Sequence, residues 1–353
     1  MYPIQAIILA AGMSSRFGLE SNKLITPLWG VPLIVHVLQK IEPLDIPITI
    51  IIGHQREQIK DAIQTWIKKK SISFVIQEQQ KGTGHAIACS KQEWSAEHIL
   101  ILNGDMPLVT QNTITDLYKQ HKETNATASF VTAIPDTVDH AYGRVIHDNE
   151  IIKIVESKDF VGNRSMLYPI NAGIYLFKRD FLYTAIDRLT TNNASKEFYL
   201  TDLIGLASVQ QNDVSCLQVP FDTIRGVNTT IEFAQVSAKV RNSIVNQWMQ
   251  KGILCHDPEH VYIDAGATIG KGTILHPGVH IRGNSSIGEH CEIDANTIIK
   301  NSIVQDHAII GPHCFIDNSY VPKNRKIEPF IHVNNATDSV WTATNKDSII
   351  QSY

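Results

Sequence analysis

Ile263, Ile269, Leu275, Ile281, Ile287, Ile293 and Ile299 stand six residues apart. A helix repeats its apolar positions every three or four residues and a half-buried strand every two, so neither produces this spacing. Six is the repeat of a parallel β-helix, in which each face of a triangular coil turns one apolar side chain inward. Glycines and small or polar residues fill the gaps, as in DAGAT, GKGTI, GEHCE and GPHCF. A second phase, one residue shorter, runs Ile298, Val304, Ile310, Ile316. The pattern predicts a short β-helix over residues 253–322, of about three coils. Beyond Pro322 the repeat dissolves, and residues 323–353 read as a cap or an irregular tail.

Upstream the periods are different. Ile231, Ala234, Val236, Val240, Ile244 and Trp248 lie at helical spacing, and Gly252 is a suitable C-cap, so residues 229–252 read as a linker helix. Residues 1–228 alternate apolar runs with amphipathic segments. The runs are Ala6–Ala11, Ile46–Ile52, Ile72–Ile76, Ile99–Leu102 and Ala128–Ala133; the segments are Leu33–Ile41, Gln55–Lys68, Gly84–Lys91 and Gln111–His121. This alternation predicts an α/β domain with a mixed, mostly parallel sheet. Open sheets of this kind bind ligands beyond the carboxyl ends of their strands, so polar motifs that follow the runs are the candidates for chemistry.

Composition narrows the classes. The five cysteines are odd in number and none forms a C-x-x-C pair, which argues against a disulfide framework or a structural zinc site. A net charge of −4 argues against a nucleic-acid partner. No apolar stretch approaches the ~18 residues of a membrane span. MYPIQAIILAAG lacks a basic start and runs into a glycine turn, so it reads as a first strand and not a signal peptide. The expectation is a reduced, cytoplasmic protein.

Three motifs follow apolar runs. Leu9, Ala10, Ala11 and Gly12 open a loop of small side chains that lets backbone N–H groups approach phosphates, with Arg16 and Lys23 adding positive charge; a plain strand–helix turn is the competing reading. Gln77 precedes Gly82-Thr83-Gly84-His85, and its amide offers both a donor and an acceptor to the edge of a uracil ring. Asp105 ends the run Ile99–Leu102 through Asn103-Gly104. It suits a Mg²⁺ site completed by substrate phosphates, or alternatively a turn before a helix. Asn228, in Gly226-Val227-Asn228-Thr229, reads either as a metal ligand or as the N-cap of the linker helix.

In order and spacing these strings resemble the sugar-nucleotide pyrophosphorylases, and most of all the bacterial bifunctional uridylyltransferase/acetyltransferases that make UDP-N-acetylglucosamine. The matching residues are LAAGMSSRFG, Gly30-Val31-Pro32-Leu33, the Gln77–Ala86 string, Gly104-Asp105-Met106-Pro107-Leu108, Tyr142-Gly143-Arg144-Val145, Ile154–Asp159, Ile170–Ile174, Glu197–Asp202 and Gly226–Thr229. Departures are Met13-Ser14-Ser15, Asn22, Asn103 and Ala141. The resemblance covers about the first 320 residues. It implies a Rossmann-like nucleotidyltransferase domain and a left-handed β-helix.

By the same resemblance, Gln77, Gly82 and Thr83 recognise uracil and Asn103 lies against the nucleotide. Gly143, Glu156 and Asn171 contact an N-acetylhexosamine, with Tyr199 and Thr201 nearby. Asp105 and Asn228 hold Mg²⁺, and Arg16 and Lys23 act on the phosphates. The implied reaction joins UTP and N-acetylglucosamine 1-phosphate, with release of pyrophosphate. The implied assembly is a homotrimer through the β-helix. His276, His280, His290, His307 and His313 read as corner residues, and the later coils that carry acetyl transfer in the family have no counterpart, so no acetyltransferase activity is expected. Another NTP and sugar 1-phosphate pair, such as dTTP with glucose 1-phosphate, or a non-catalytic scaffold, are the competing readings.

Overall fold

The computed structural model describes residues 3–13, 17–18, 22–68, 72–138, 141–148, 151–209, 214–339 and 350–352. Internal contacts divide the chain into two units, one of residues 1–26 and 32–233, the other of residues 27–31 and 234–353.

The first unit is built on a nine-stranded mixed sheet. Its strands are β1 (Ile4–Ala10), β2 (Ile48–Ile52), β3 (Ile72–Ile76), β4 (His98–Asn103), β5 (Ala128–Ala133), β6 (Arg144–Asp148), β7 (Ile151–Val155), β8 (Ile170–Lys178) and β9 (Val214–Gln218). The order is β9-β5-β8-β4-β1-β2-β3, with the β6–β7 hairpin attached to β8. Pairs β1–β2, β2–β3, β1–β4 and β5–β9 are parallel, whereas β8 enters antiparallel between β4 and β5. Helices follow the strands: α1 (Leu33–Ile41), α2 (Arg56–Trp66), α3 (Thr83–Cys89), α4 (Gln111–Glu123), α5 (Arg179–Ala185) and α6 (Asp202–Val209).

Local sequence explains these elements. IQAIILA and ITIII are apolar on both faces because helices cover both sides of the sheet, and β2 is buried along its whole length. α2 buries only Ile59 and Ile63, one stripe at i and i+4. Thr110 caps α4 by accepting from the Thr113 amide at 3.0 Å. The chain steps outward from β1 to β3 and then returns to β4 on the other side of β1, so strand order reverses between β1 and β4. That reversal opens a crevice at their carboxyl ends.

The helix α7 spans Thr230–Gln250, and the unit boundary falls inside it. The second unit is a parallel β-helix with short strands on three sheets, of the left-handed hexapeptide class that the repeat predicts. Its core is the inward ladder Ile263, Leu275, Ile281, Ile287, Ile293, Ile299, Val304, Ile310, Ile316, Val321, Ile327 and Val333. Each such isoleucine contributes about 1.5–3 kcal/mol of apolar burial.

Two expectations are corrected here. Ile298 does not belong to the inward phase: it faces out and Ile299 is buried, so the short step runs from Ile299 to Val304. The corner between them, where Asn301 has a φ of 47°, is one residue shorter than the corners before it. Asn318 and Asn335 repeat the left-handed corner in the coils above. Hydrogen bonds between neighbouring coils accordingly change from a separation of 18 residues to one of 17. The coils also continue beyond Pro322, through strands Lys326–Ile327 and Ile331–Asn334, where loss of the six-residue period suggested a tail. Five-residue steps, not loss of structure, break the period.

Of the five histidines expected at corners, His290, His307 and His313 have the positive φ of a corner residue, but His280 lies in the strand His280–Arg282 and His276 directly follows Ile274–Leu275.

Candidate active site

β1 and β4 run side by side in register, with Leu9 opposite Asn103. The Gly104 amide donates to the Leu9 carbonyl at 2.9 Å, which carries the pairing past the sheet and sets Asp105 at its edge. Lys23 begins the short 3₁₀ turn Lys23–Ile25, which Asn22 caps by accepting from the Leu24 amide. Asn228 comes from the segment before α7. The Val227 amide donates to the Asp105 carbonyl at 3.0 Å, and the Gly226 amide donates to the Tyr142 hydroxyl at 3.2 Å. The first bond holds that segment to the end of β4, and the second ties it to the chain just before β6. Burial raises the Tyr142 phenol above its ordinary value, which keeps it protonated.

The three segments meet at the Lys23 ammonium. Its Nζ donates to Asp105 Oδ2 at 2.5 Å, to the Val227 carbonyl at 2.7 Å and to Asn228 Oδ1 at 3.1 Å. An ammonium has three donors, and all three are used. The side chains of Lys23 and Asp105 are only 13% and 18% exposed, so water screens their attraction weakly.

Asn228 is not the N-cap of α7. Thr229 is: its Oγ1 accepts from the Glu232 amide at 3.1 Å, and Glu232 Oε2 accepts from the Thr229 amide at 2.8 Å and the Asn228 amide at 2.7 Å. This is a capping box, worth about 1 kcal/mol. It fixes the backbone of Asn228 and leaves its amide oxygen directed at Lys23.

Asp105, Asn228 and Val227 therefore present one carboxylate and two neutral oxygens to a single cation. That is the donor chemistry of a hard divalent ion that keeps part of its shell for substrate phosphates. Among the described residues there is no cluster of three or more His, Cys, Asp and Glu side chains that could hold a metal unaided. The residues present fit Mg²⁺, with Lys23 as the cation now between them.

Leu9 and Ala10 end β1, and Ala11 and Gly12 continue from its carboxyl end. Ala10 and Ala11 are buried, and a side chain built on Gly12 would meet none of the described residues within 4 Å. The loop is thus open to a ligand at Gly12. Arg16 lies outside the described residues.

Beyond β3, the buried Gln77 donates from Nε2 to the Gly82 carbonyl at 3.1 Å and lies 3.0 Å from His85 Nδ1. Burial, with Lys81 nearby, holds His85 below its usual value, so its ring is neutral and Nδ1 accepts. Gly82 has φ of 105°, and a Cβ there would stand 2.6 Å from the Phe198 carbonyl; glycine is required. Thr83 Oγ1 accepts from the Leu200 amide at 3.1 Å, which ties this loop to the segment Glu197–Thr201 that leads into α6.

A second polar cluster gathers around β8. The strand bulges between Asn171 and Tyr175, and Gly173 at its apex has φ of 75° with a Cβ position 2.3 Å from Asn103 Nδ2. Asn171 Oδ1 accepts from the Gly173 amide, and its Nδ2 donates to the buried Tyr175 hydroxyl at 2.6 Å. The Asn171 amide donates to the Gly143 carbonyl at 2.9 Å. Glu156, 3.5 Å from where a Gly143 Cβ would lie, accepts from Thr201 Oγ1 at 3.0 Å. Burial pushes the Glu156 carboxyl up, and the carboxylates of Asp202, Asp159 and Glu197 add to it. Tyr199 donates to Asp159 Oδ2 at 3.2 Å.

The fold thus brings the sequence-predicted residues into three groups of the same unit: Lys23, Asp105 and Asn228 in one, Gln77, Gly82 and Thr83 in the next, and Gly143, Glu156, Asn171, Tyr199 and Thr201 in the last, with Asn103 beside the Gly173 bulge. Sequence reasoning missed Asp159, Asp202, Tyr142, Tyr175 and Glu232. The first three lie inside strings already singled out for other residues, and the Thr229–Glu232 spacing is itself a capping-box signature.

A mixed sheet reversing between β1 and β4, with a carboxylate, an amide oxygen and a lysine beyond it, fits the nucleotidyltransferase class that the comparisons show. The MobA-like NTP transferase domain matches residues 6–167 and the GMPPB C-terminal domain matches residues 258–350. The chain is 34% identical to the bifunctional protein GlmU of Shouchella clausii over 346 residues, covering 94% of this chain and 73% of that one. It is 37% identical to the Geotalea daltonii GlmU over 348 residues, or 96% and 74% of the two chains. It is 36% identical to the Desulfotalea psychrophila GlmU over 307 residues, or 85% and 88%. The chain belongs to the GlmU family. No helix among the described residues is long and apolar enough to cross a membrane.

Proposed function

We propose that this protein joins UTP and N-acetylglucosamine 1-phosphate, forming UDP-N-acetylglucosamine and pyrophosphate in a Mg²⁺-dependent reaction. The observation that carries this reading is the meeting of Lys23, Asp105 and Asn228 at the carboxyl ends of β1 and β4. Kinship with the GlmU proteins supports the choice of substrates.

The attacking oxygen belongs to the sugar phosphate and is anionic near pH 7, so no protein nucleophile or general base is required. The protein's contribution is position and charge. In this reading the uracil edge meets Gln77 and the Gly82–Thr83 turn, with Asn103 beside it. The triphosphate follows the loop from Leu9 to Gly12, where backbone N–H groups, Arg16 and Lys23 offset its charge. The hexosamine takes the Gly143, Glu156 and Asn171 group, whose carboxylate and amides match hydroxyl and amide partners, with Tyr199 and Thr201 holding Asp159 and Glu156 in place. Asp105 and Asn228 hold Mg²⁺, which when bound supplies charge neutralisation on phosphate oxygens.

The reading assigns no acetyl transfer to the described coils. Their histidines are engaged with one another and with neighbouring rings: His290 stacks on His307 and His313 on Phe330. His280 stacks on Tyr262, and His276 pairs with Glu292. It includes a homotrimer formed through the β-helix and a cytoplasmic location, where both substrates are available for cell-wall precursor synthesis. A panel of nucleoside triphosphates against sugar 1-phosphates, read by pyrophosphate release, tests the proposal. Release with UTP and N-acetylglucosamine 1-phosphate well above every other pair is expected. Preference for dTTP and glucose 1-phosphate would reassign the substrates, and no release with any pair would favour a scaffold. Acetylation of glucosamine 1-phosphate from acetyl-CoA by the purified chain would refute the single-activity part.

A further inference from the structure

The ammonium of Lys23 occupies the point on which the oxygens of Asp105, Asn228 and Val227 converge, and its three donors are all spent there. It cannot also reach a phosphate while it stays. A divalent ion cannot take the oxygens of Asp105 and Asn228 while the ammonium holds them, because two cations would then share one small site at close range. We infer that Lys23 is a built-in stand-in cation: the free protein keeps its metal site closed with its own ammonium, and the metal enters as its complex with a nucleoside triphosphate, whose phosphates draw Lys23 away.

The inference rests on the metal reading of Asp105 and Asn228 given above and adds an order of events to it. The physical reason is a balance of charge. In the free protein the Asp105 carboxylate is mostly enclosed, at 18% exposed, and needs a cation. An incoming triphosphate brings several negative charges with its metal, so one cation can move onto the phosphates while the other takes the carboxylate. Metal alone brings positive charge only, and supplies no anion to receive the displaced Lys23.

Mn²⁺ binding to the nucleotide-free protein, followed by electron paramagnetic resonance, tests this without turnover. The wild type is expected to bind Mn²⁺ weakly, and Lys23→Met to bind it at least about tenfold more tightly, since a charge-assisted competitor has been removed. Asp105→Asn should abolish binding in the Lys23→Met background. Loss of binding with Asp105→Asn but no tightening with Lys23→Met would overturn the stand-in role and leave the metal reading intact. Binding indifferent to Asp105→Asn would overturn the metal reading itself. A measurement on the native chain covers the case in which Lys23→Met fails to fold. Crystals in MnCl₂ alone should show no anomalous peak between Asp105 and Asn228, and crystals in MnCl₂ with a non-hydrolysable UTP analogue should show one, with Lys23 moved to phosphate. A peak there without nucleotide would refute the inference.

Discussion

Lys23 Nζ and Asp105 Oδ2 lie 2.5 Å apart, joined across 82 residues of chain. The pair links the loop after β1 to the end of β4, and Asn228, 205 residues from Lys23, closes it from a third side. Charge and position at this one point are what the proposed chemistry requires of the protein.

Replacement of either partner should remove turnover without removing the fold. Lys23→Ala and Asp105→Ala are each expected to lower kcat by about 10²–10³ or more, the scale seen when a preorganised electrostatic group is lost. Far-UV circular dichroism should be unchanged. Near-normal turnover in either variant would contradict the assignment.

Gly173 holds the bulge of β8 against Asn103, with φ of 75° and room for no Cβ. Gly173→Ala should therefore destabilise the protein by about 1–3 kcal/mol. It should also raise KM for the nucleotide, because Asn103 must move. Gly205, within α6, has its nearest neighbour at 3.8 Å from a built Cβ, and Gly205→Ala should be neutral or stabilising by up to about 1 kcal/mol. Urea titration of both variants separates a local conformational requirement from a general intolerance of added methyl groups.

Glu156 is expected to trade stability for binding. Burial raises its carboxyl above the ordinary value, so the fold prefers the neutral form and stability is lost as pH rises from the unfolded-state value through the folded one. Glu156→Gln removes this loss while still accepting from Thr201. Its Tm should exceed that of the wild type at pH 7–8, with the difference vanishing near pH 4. KM for the sugar phosphate should rise about tenfold as a charged hydrogen bond is weakened. A lower Tm at neutral pH would show that the ionised carboxylate stabilises the fold.

Acid should weaken the first unit through a buried histidine pair. His121 Nε2 lies 3.2 Å from His98 Nδ1, and His121 Nδ1 lies 2.7 Å from Ser129 Oγ. Burial, with His98 and nearby lysines adding to it, lowers His121 to about 3. Below about pH 6.5 the unfolded chain takes up a proton that the fold refuses. Tm should accordingly fall as pH drops from 6.5 toward 4, and His121→Gln should flatten that slope. An unchanged slope would place the acid sensitivity elsewhere.

Much of this architecture was legible one segment at a time. The runs Ile72–Ile76 and Ala128–Ala133 and the segment Leu33–Ile41 coincide with β3, β5 and α1, because an apolar run is a property of adjacent residues. Asp105 was legible for the same reason: a carboxylate directly after a buried strand stands where α/β sheets bind ligands. The hairpin of β6 and β7 was not, since its residues are half-buried and its partner, β8, is antiparallel to a sheet whose other runs suggested parallel pairing. The coils past Pro322 were missed because a corner shortened by one residue, between Ile316 and Val321, shifts the phase of a period without ending the structure it marks.

The sequence by itself determined the two kinds of unit, the helix between them and the short strings that carry polar chemistry, since period and turn residues are properties of adjacent positions. Tertiary structure alone decided that Lys23 would meet Asp105, Val227 and Asn228, that the Gly173 bulge would lie on Asn103, and that Glu156 would be shielded enough to resist ionisation. Those facts depend on which distant segments share a sheet edge and on how much water reaches them. Burial and partner choice across hundreds of residues are set by packing of the whole unit, and no local pattern encodes them.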